Sequence, residues 1–319
     1  MAVAGLLLLC LLWSLDSLAP DLFPHPAASP VPQLESEAIS FALLAVAAGL
    51  FAVVRAAGWP RGRQLWAWVA IGLGMFAAPA VLVSLSNAGV SETTRVALFS
   101  LVPVFAVVLE PHLGAGVLPA DSLPGAIAQP ARGGLMAALA AVAGTLCVFP
   151  LQSPGSIAAG AAMGALVLAA ACVAAANCAA VRLARARQSA SIASMAAIAG
   201  AAAAAALAAA SALTERSAWR WDGLLTGPVK ASLGRAALLE LPGLLLLFWL
   251  MRRMAAARMT TRFVLAPLVT ILIAMALEQP AVELRTWAGL LLVAAGAGWL
   301  LLAPAQEPDA HSSPLSLRP

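Results

Sequence analysis

Ten stretches of this chain are apolar over about the length needed to cross a bilayer, and this feature constrains the fold before any other. Hydrocarbon offers no water to satisfy a backbone N–H or C=O, so a spanning segment must be a helix or a strand of a closed barrel. Runs of about 20 residues match the helix, whereas barrel strands need only about 10. The stretches lie at roughly 2–18, 37–55, 65–86, 93–114, 133–150, 157–181, 191–213, 233–253, 262–280 and 285–303. Hydrophobic residues make up 62% of the 319 and charged residues 10%, with a mean hydropathy of +0.95. A soluble domain is about 25% charged, and no stretch reads as a sizeable soluble domain. The expected fold is therefore an all-α integral membrane protein with ten transmembrane helices.

The net charge of +4 reports orientation rather than an anionic partner such as nucleic acid. With the N-terminus inside, twelve of the 18 basic residues fall on the cytoplasmic side, among them Arg55, Arg182, Arg185, Arg252, Arg253 and Arg262. The other six, Arg95, Arg216, Arg220, Lys230, Arg235 and Arg285, fall outside, which is the bias that sets topology. Both termini are expected in the cytoplasm, with the chain in the cell (inner) membrane. Residues 2–18 have no Lys or Arg before them, and none occurs until Arg55. A cleaved signal has a basic n-region, so this segment is expected to stay as the first helix.

Two of the apolar stretches read alike. Thr93-Thr94-Arg95 opens a run that closes at Glu110-Pro111, and Thr260-Thr261-Arg262 opens one that closes at Glu278-Gln279-Pro280. Each has a leucine three residues past its arginine (Leu98, Leu265) and a proline inside (Pro103, Pro267). Ala143-Gly144 with Pro150 and Ala297-Gly298 with Pro304 follow in the same order. Internal likeness of this kind marks duplicated units. Residues 1–150 and 151–304 are expected to be two five-helix repeats, followed by a disordered cytoplasmic tail, 305–319. Five is odd, so the second repeat must cross in the opposite sense. Inverted repeats are a common plan for secondary transporters, with substrate held near the midplane between the halves.

The chain resembles the drug/metabolite transporter superfamily in its ten-helix EamA-type branch. The likeness is carried by Ser100 to Glu110 in helix four and Leu265 to Glu278 in helix nine, each a proline followed by an apolar run ending in glutamate. The glycine-rich closing helices and the end of helix six, Val181 to Arg185, also fit. The proline and glutamate of helix four are closer together than is usual in that family, and leucine replaces the usual glycine before each glutamate. The resemblance implies a secondary carrier for a small polar organic metabolite such as an amino acid or related compound, with export the implied direction. It also implies a cavity built from helices of both halves and no cofactor.

The residues themselves point to similar places. Pro79 in helix three pairs in order with Pro242 in helix eight, and Pro103 with Pro267. A proline removes a backbone hydrogen bond and kinks a helix, and such interruptions at matching positions of two halves are the best sequence pointer to a transport site. These four prolines are candidate cavity-lining kinks. Acids inside apolar runs are costly and mark interiors or water paths. Glu240 is the deepest, and a carboxyl taken from water favours its neutral form, as a proton carrier must. Glu110, with Ser100 on its stripe, is the second candidate for substrate binding or coupling; Trp13, three residues from Asp16, and Asn177 complete the set. Each also has a structural reading: Glu240 in an ion pair with Arg235, Asn177 in helix packing, the prolines as simple bends. Gly160 and Gly164 form a GxxxG pair suited to close helix contact, and the alanine run 200–206 reads as peripheral.

The four cysteines lie in apolar runs with no C-x-x-C spacing, so no metal or redox site is expected. No HExxH, GxSxG or GxxxxGK sequence is present. A membrane-embedded transferase using Glu110, His112 and Asp121, and a non-transporting scaffold or sensor, remain the alternatives to a transporter, for which no enzymatic activity is expected.

Overall fold

The computed structural model describes residues 1–22, 32–87, 89–114, 132–186, 190–215, 234, 236–278 and 283–302, and among these it is helical with no strand. In chain order the helices are α1 (Ala2–Leu22), α2 (Gln33–Val54), α3 (Arg63–Ser86), α4 (Glu92–Phe99 then Val102–Gly114), α5 (Arg132–Val148) and α6 (Ile157–Arg185). They continue with α7 (Ile192–Thr214), α8 (Ala236–Met251), α9 (Ala256–Thr260 then Arg262–Glu278) and α10 (Leu284–Leu302). Seven of these are long and apolar enough to cross a membrane, and the apolar parts of α1, α5 and α8 are shorter. Their apolar surface points outward as well as inward: Leu50, Trp66, Leu291 and Trp299 are all exposed. Lipid rather than water is the solvent that suits such a surface, and the chain has the character of a multi-pass membrane protein.

Serine caps fix three helix starts. Ser91, Ser156 and Ser191 each accept the backbone N–H three residues on, from Thr94, Ala159 and Ser194, satisfying a donor the helix cannot satisfy itself. The most extensive packing joins α2 to α7 and α5 to α10, with α4 on α6, α1 on α9, and α3 on both α6 and α7. Glycine permits the closest approaches. A Cβ at Gly72 would lie 2.3 Å from the Ala199 carbonyl oxygen, and one at Gly144 would lie 2.6 Å from the Val293 nitrogen. Gly160 and Gly164 have nothing within 4 Å of such a Cβ, so the expected GxxxG contact is not used within the described residues. The alanine-rich α7 is the most buried of the seven long spans. Small side chains let α2 and α3 pack closely on one face of it, while within the run 200–206 Ala201 and Ala205 stay exposed.

Hydrogen bonds between helix ends define the two ends of the bundle. At one end, Asn87 at the close of α3 donates to Gln33 at the start of α2 (3.0 Å). There too the Glu215 carboxylate, just past α7, accepts the N–H groups of Leu34 (3.2 Å) and Glu35 (3.3 Å). At the other end, the Gly58 carbonyl beyond α2 accepts from Ser191 N–H (3.3 Å) and the Ser194 hydroxyl (2.8 Å) at the start of α7. Arg252, closing α8, donates to the Ala190 carbonyl at this same end. Glu110, near the close of α4, accepts the N–H groups of Ala256 (3.1 Å) and Ala257 (3.2 Å) at the start of α9.

Two helix starts differ from the sequence expectation. The α2 helix begins at Gln33 rather than 37 and α9 at Ala256 rather than 262. Hydropathy ends a run at its first charges, but charged residues that face the protein interior leave the helix intact. Both prolines of the third-and-eighth pair follow a π-helical turn: residues 73–77 precede Pro79 in α3, and 236–240 precede Pro242 in α8. The segments and the prolines share one offset, 163 residues (73 to 236, 79 to 242). A proline lacks the N–H the preceding turn would use and its ring crowds the carbonyl four residues back; a π turn is one way to relieve that crowding.

Candidate functional site

A cavity of about 420 Å³ lies among α1, α2, α3, α4, α6, α8 and α9, so both halves of the chain contribute walls. Its size falls in the range of small-molecule sites, about 300–1,000 Å³. Met75 and Phe76, in the α3 π turn, line it, as does Glu240, which closes the α8 π turn. Irregular helical turns of this kind recur at functional sites. Aromatic rings form much of the wall: Trp13, Phe41, Phe76, Phe99 and Phe263. Phe41 and Phe76 lie 4.7 Å apart between centroids, and Phe99 stacks on Phe263 at 6.3 Å.

The polar lining is sorted along the bundle axis. Asp16 lies late in α1, Glu37 early in α2 and Glu240 early in α8, toward the end that joins α3 and α7 to the start of α2. Among the described residues the one lining cation, Arg262, lies toward the other end, near the α9 start that Glu110 caps. Arg262 is 1% exposed. Its Nη2 donates to Asn177 Oδ1 in α6 (3.0 Å) and its Nη1 to the Met259 carbonyl (3.2 Å). Its guanidinium sits over the Phe263 ring at 4.6 Å and over the Trp13 ring at 5.3 Å, both within cation–π range. The Trp13 indole rests against Gly243, where a Cβ would lie 3.1 Å from its Nε1. Ser14, the next residue, donates to the Ala266 carbonyl of α9 at 2.9 Å and pins α1 there.

Of the residues singled out in the sequence, Trp13, Pro79 and Glu240 line this cavity and Asn177 touches it through Arg262. The others lie elsewhere. Ser100 is buried and donates to the Ala97 carbonyl (2.6 Å). Glu110 faces the α9 N–H groups, Pro103 is buried outside the lining, Pro242 is exposed on the outer face of α8, and Pro267 is half-buried in α9 outside the lining. Arg235, Asp121, His25, His311, Trp219, Trp221 and the tail 305–319 lie outside the described residues, as does the side chain of Glu278. Two cavity residues carried no sequence weight, Arg262 and Glu37. The Thr-Thr-Arg likeness did single out Arg262, but as a loop charge; its repeat mate Arg95 is only half-buried and donates to Asn87 (2.6 Å).

No family model and no curated protein matches this chain. A solved structure described only as a crystal structure of a protein superposes with a TM-score of 0.69, over 95% of this chain and 99% of its own, at 18% identity. A likeness at that identity establishes a shared fold.

Proposed function

We propose that this chain is a secondary transporter of the drug/metabolite type, built as inverted five-helix repeats, that moves a small polar organic metabolite by alternating access. The observation that carries the reading is the cavity itself, bounded by helices from both halves and holding, among the described residues, three carboxylates and one guanidinium in an aromatic wall. Ionisable groups inside an apolar bundle are expensive and gather where a substrate or ion passes.

The packing supports the inversion. Exchanging each helix for the one five places on maps α4 on α6 to α9 on α1, and α3 on α6 to α8 on α1, while α2 on α7 and α5 on α10 map onto themselves. Mates also run in opposite directions between the two bundle ends. For example, α2 starts where α7 finishes, and α4 finishes where α9 starts. The shared 163-residue offset of the π turns and their prolines fits the same duplication. With the N-terminus inside, the acidic end of the cavity is the outer end, and the contact of Glu110 with α9 closes the inner end.

In this mechanism Glu240 binds the coupling proton or a substrate cation, and rocking of one half against the other exposes the cavity to each side in turn. The test is flux of labelled amino acids and organic acids through proteoliposomes across a pH series, comparing the native chain with Glu240→Gln. Loss of flux, or loss of its pH dependence, is expected. Unchanged flux at every pH removes Glu240 from the coupling role, and absence of flux for every compound removes the transporter reading. A metabolite-profiled export screen of a deletion strain would then supply the cargo.

A further inference from the structure

We infer that Arg262 seats the anionic group of the ligand, and that the ligand is a carboxylate attached to an apolar body. The inference rests on reading this cavity as the substrate site. Arginine stays charged under all ordinary conditions and carries five N–H donors. Two of these are satisfied, by Asn177 and the Met259 carbonyl, and Nε is buried with no hydrogen-bond partner. Neither acceptor is ionised, and no carboxylate among the described residues pairs with this guanidinium. A buried cation without a counter-ion is destabilising, so a fold that keeps one at 1% exposure beside a cavity holds it ready for an anion.

The repeat supplies an internal comparison. Arg95 holds the matching place in the first half; its Nε is also buried without a hydrogen-bond partner, but the side chain as a whole is only half-buried and bonds Asn87, so a duplicated Thr-Thr-Arg does not require full burial of its arginine. Burial at Arg262 belongs to the cavity. The planar guanidinium favours a carboxylate, which it can meet through two parallel N–H bonds. Phe99, Phe263 and Phe76 supply an apolar wall for the rest of the molecule. Asp16, Glu37 and Glu240 lie toward the other end of the cavity, so a ligand that spans it places its carboxylate at Arg262 and any ammonium group toward the acids. Trp13 covers the guanidinium face and leaves the in-plane N–H edge as the place where a carboxylate can bond.

The test is isothermal titration of the full chain in lipid nanodiscs with four probes of similar shape and different charge: 3-phenylpropanoate, phenylalanine, 3-phenylpropanamide and phenethylamine. Both carboxylates are expected to bind at least about tenfold more tightly than the amide and the amine. Arg262→Gln should abolish that preference, Arg262→Lys should keep part of it, and Arg95→Gln should leave it intact. If phenylalanine binds and 3-phenylpropanoate binds equally, the guanidinium alone selects; if phenylalanine binds more tightly, the rim acids add to it. Tighter binding of phenethylamine, no binding of any probe, or native affinity in a folded Arg262→Gln chain overturns the inference. The first of these outcomes needs no variant, so a misfolded substitution leaves the test intact. Binding of carboxylates with no flux in proteoliposomes would remove transport but keep this site, and flux of an amine alone would do the reverse.

Discussion

At the scale of single residues, a charge in this bundle is explained by what its heavy atoms touch, and position in the apolar run is a poor guide. Glu110 lies inside an apolar run, yet its two oxygens accept the N–H groups of Ala256 and Ala257 across the boundary between the halves. Removing such a cap typically costs about 1–2 kcal/mol, so Glu110→Ala should lower the melting temperature of the purified protein. Glu110→Gln, which keeps one acceptor oxygen, should recover part of the loss. Gly243 makes the complementary case, because a side chain there meets Trp13 Nε1 at 3.1 Å. Gly243→Val is expected to push the indole toward the cavity and to weaken ligand binding severalfold while changing stability little, read by titration and thermal unfolding together. Glu240, Trp13 and Pro79 were legible because an acid, an indole and a proline stand out in a run of leucine and alanine. Arg262 and Glu37 were not, because both sit within a few residues of a helix start, where a hydropathy window treats charge as the end of the membrane.

Among the helices, close packing here depends on where glycine faces a neighbour, and spacing alone does not reveal that. The Gly160/Gly164 pair has the spacing that permits contact but meets no other helix among the described residues, while Gly144 and Gly289 lock α5 against α10. An added Cβ at Gly144 would lie 2.6 Å from backbone nitrogen and 2.7 Å from the Gly289 carbonyl oxygen, neither of which can rotate away. Overpacking of this kind costs about 1–3 kcal/mol. Gly144→Ala should therefore lower the unfolding temperature clearly, and Gly164→Ala should leave it unchanged or raise it slightly, since alanine is the better helix former. Equal effects of the two substitutions would mean that α5 and α10 do not pack as described. Sequence reading found the helices themselves because the apolar run and the requirement for internal hydrogen bonding act on each segment separately. The close packing of α2 on α7 was not legible because a helix of alanines carries no marker of what packs against it; the small side chains that make it look featureless are what admit α2 so closely.

At the scale of the whole molecule, the likeness of two strings carries the strongest proposal, because duplication and an odd helix count together would restrict how the halves can face each other. The packing exchange, the opposed directions of α2 and α7, and the matched π turns all fit that restriction. The chemistry does not follow the symmetry. Arg95 and Arg262 hold equivalent places, yet one pairs with Asn87 at the chain's edge and the other borders the cavity. Under the proposed duplication, the scaffold keeps its pseudo-symmetry in helix directions while its charged groups are placed asymmetrically, so the repeat bears on orientation more than on cargo. Orientation can be measured directly. Single cysteines placed at Thr93, before the apolar part of α4, and at Arg253, between α8 and α9, in a background lacking Cys10, Cys147, Cys172 and Cys178, can be labelled in intact cells with an impermeant maleimide. Inverted repeats with the N-terminus inside require the position 93 cysteine to react from outside and the position 253 cysteine to react only after the membrane is opened. Reaction of both from the same side would mean that the two Thr-Thr-Arg helices run parallel, and the alternating-access reading would lose the symmetry on which it stands.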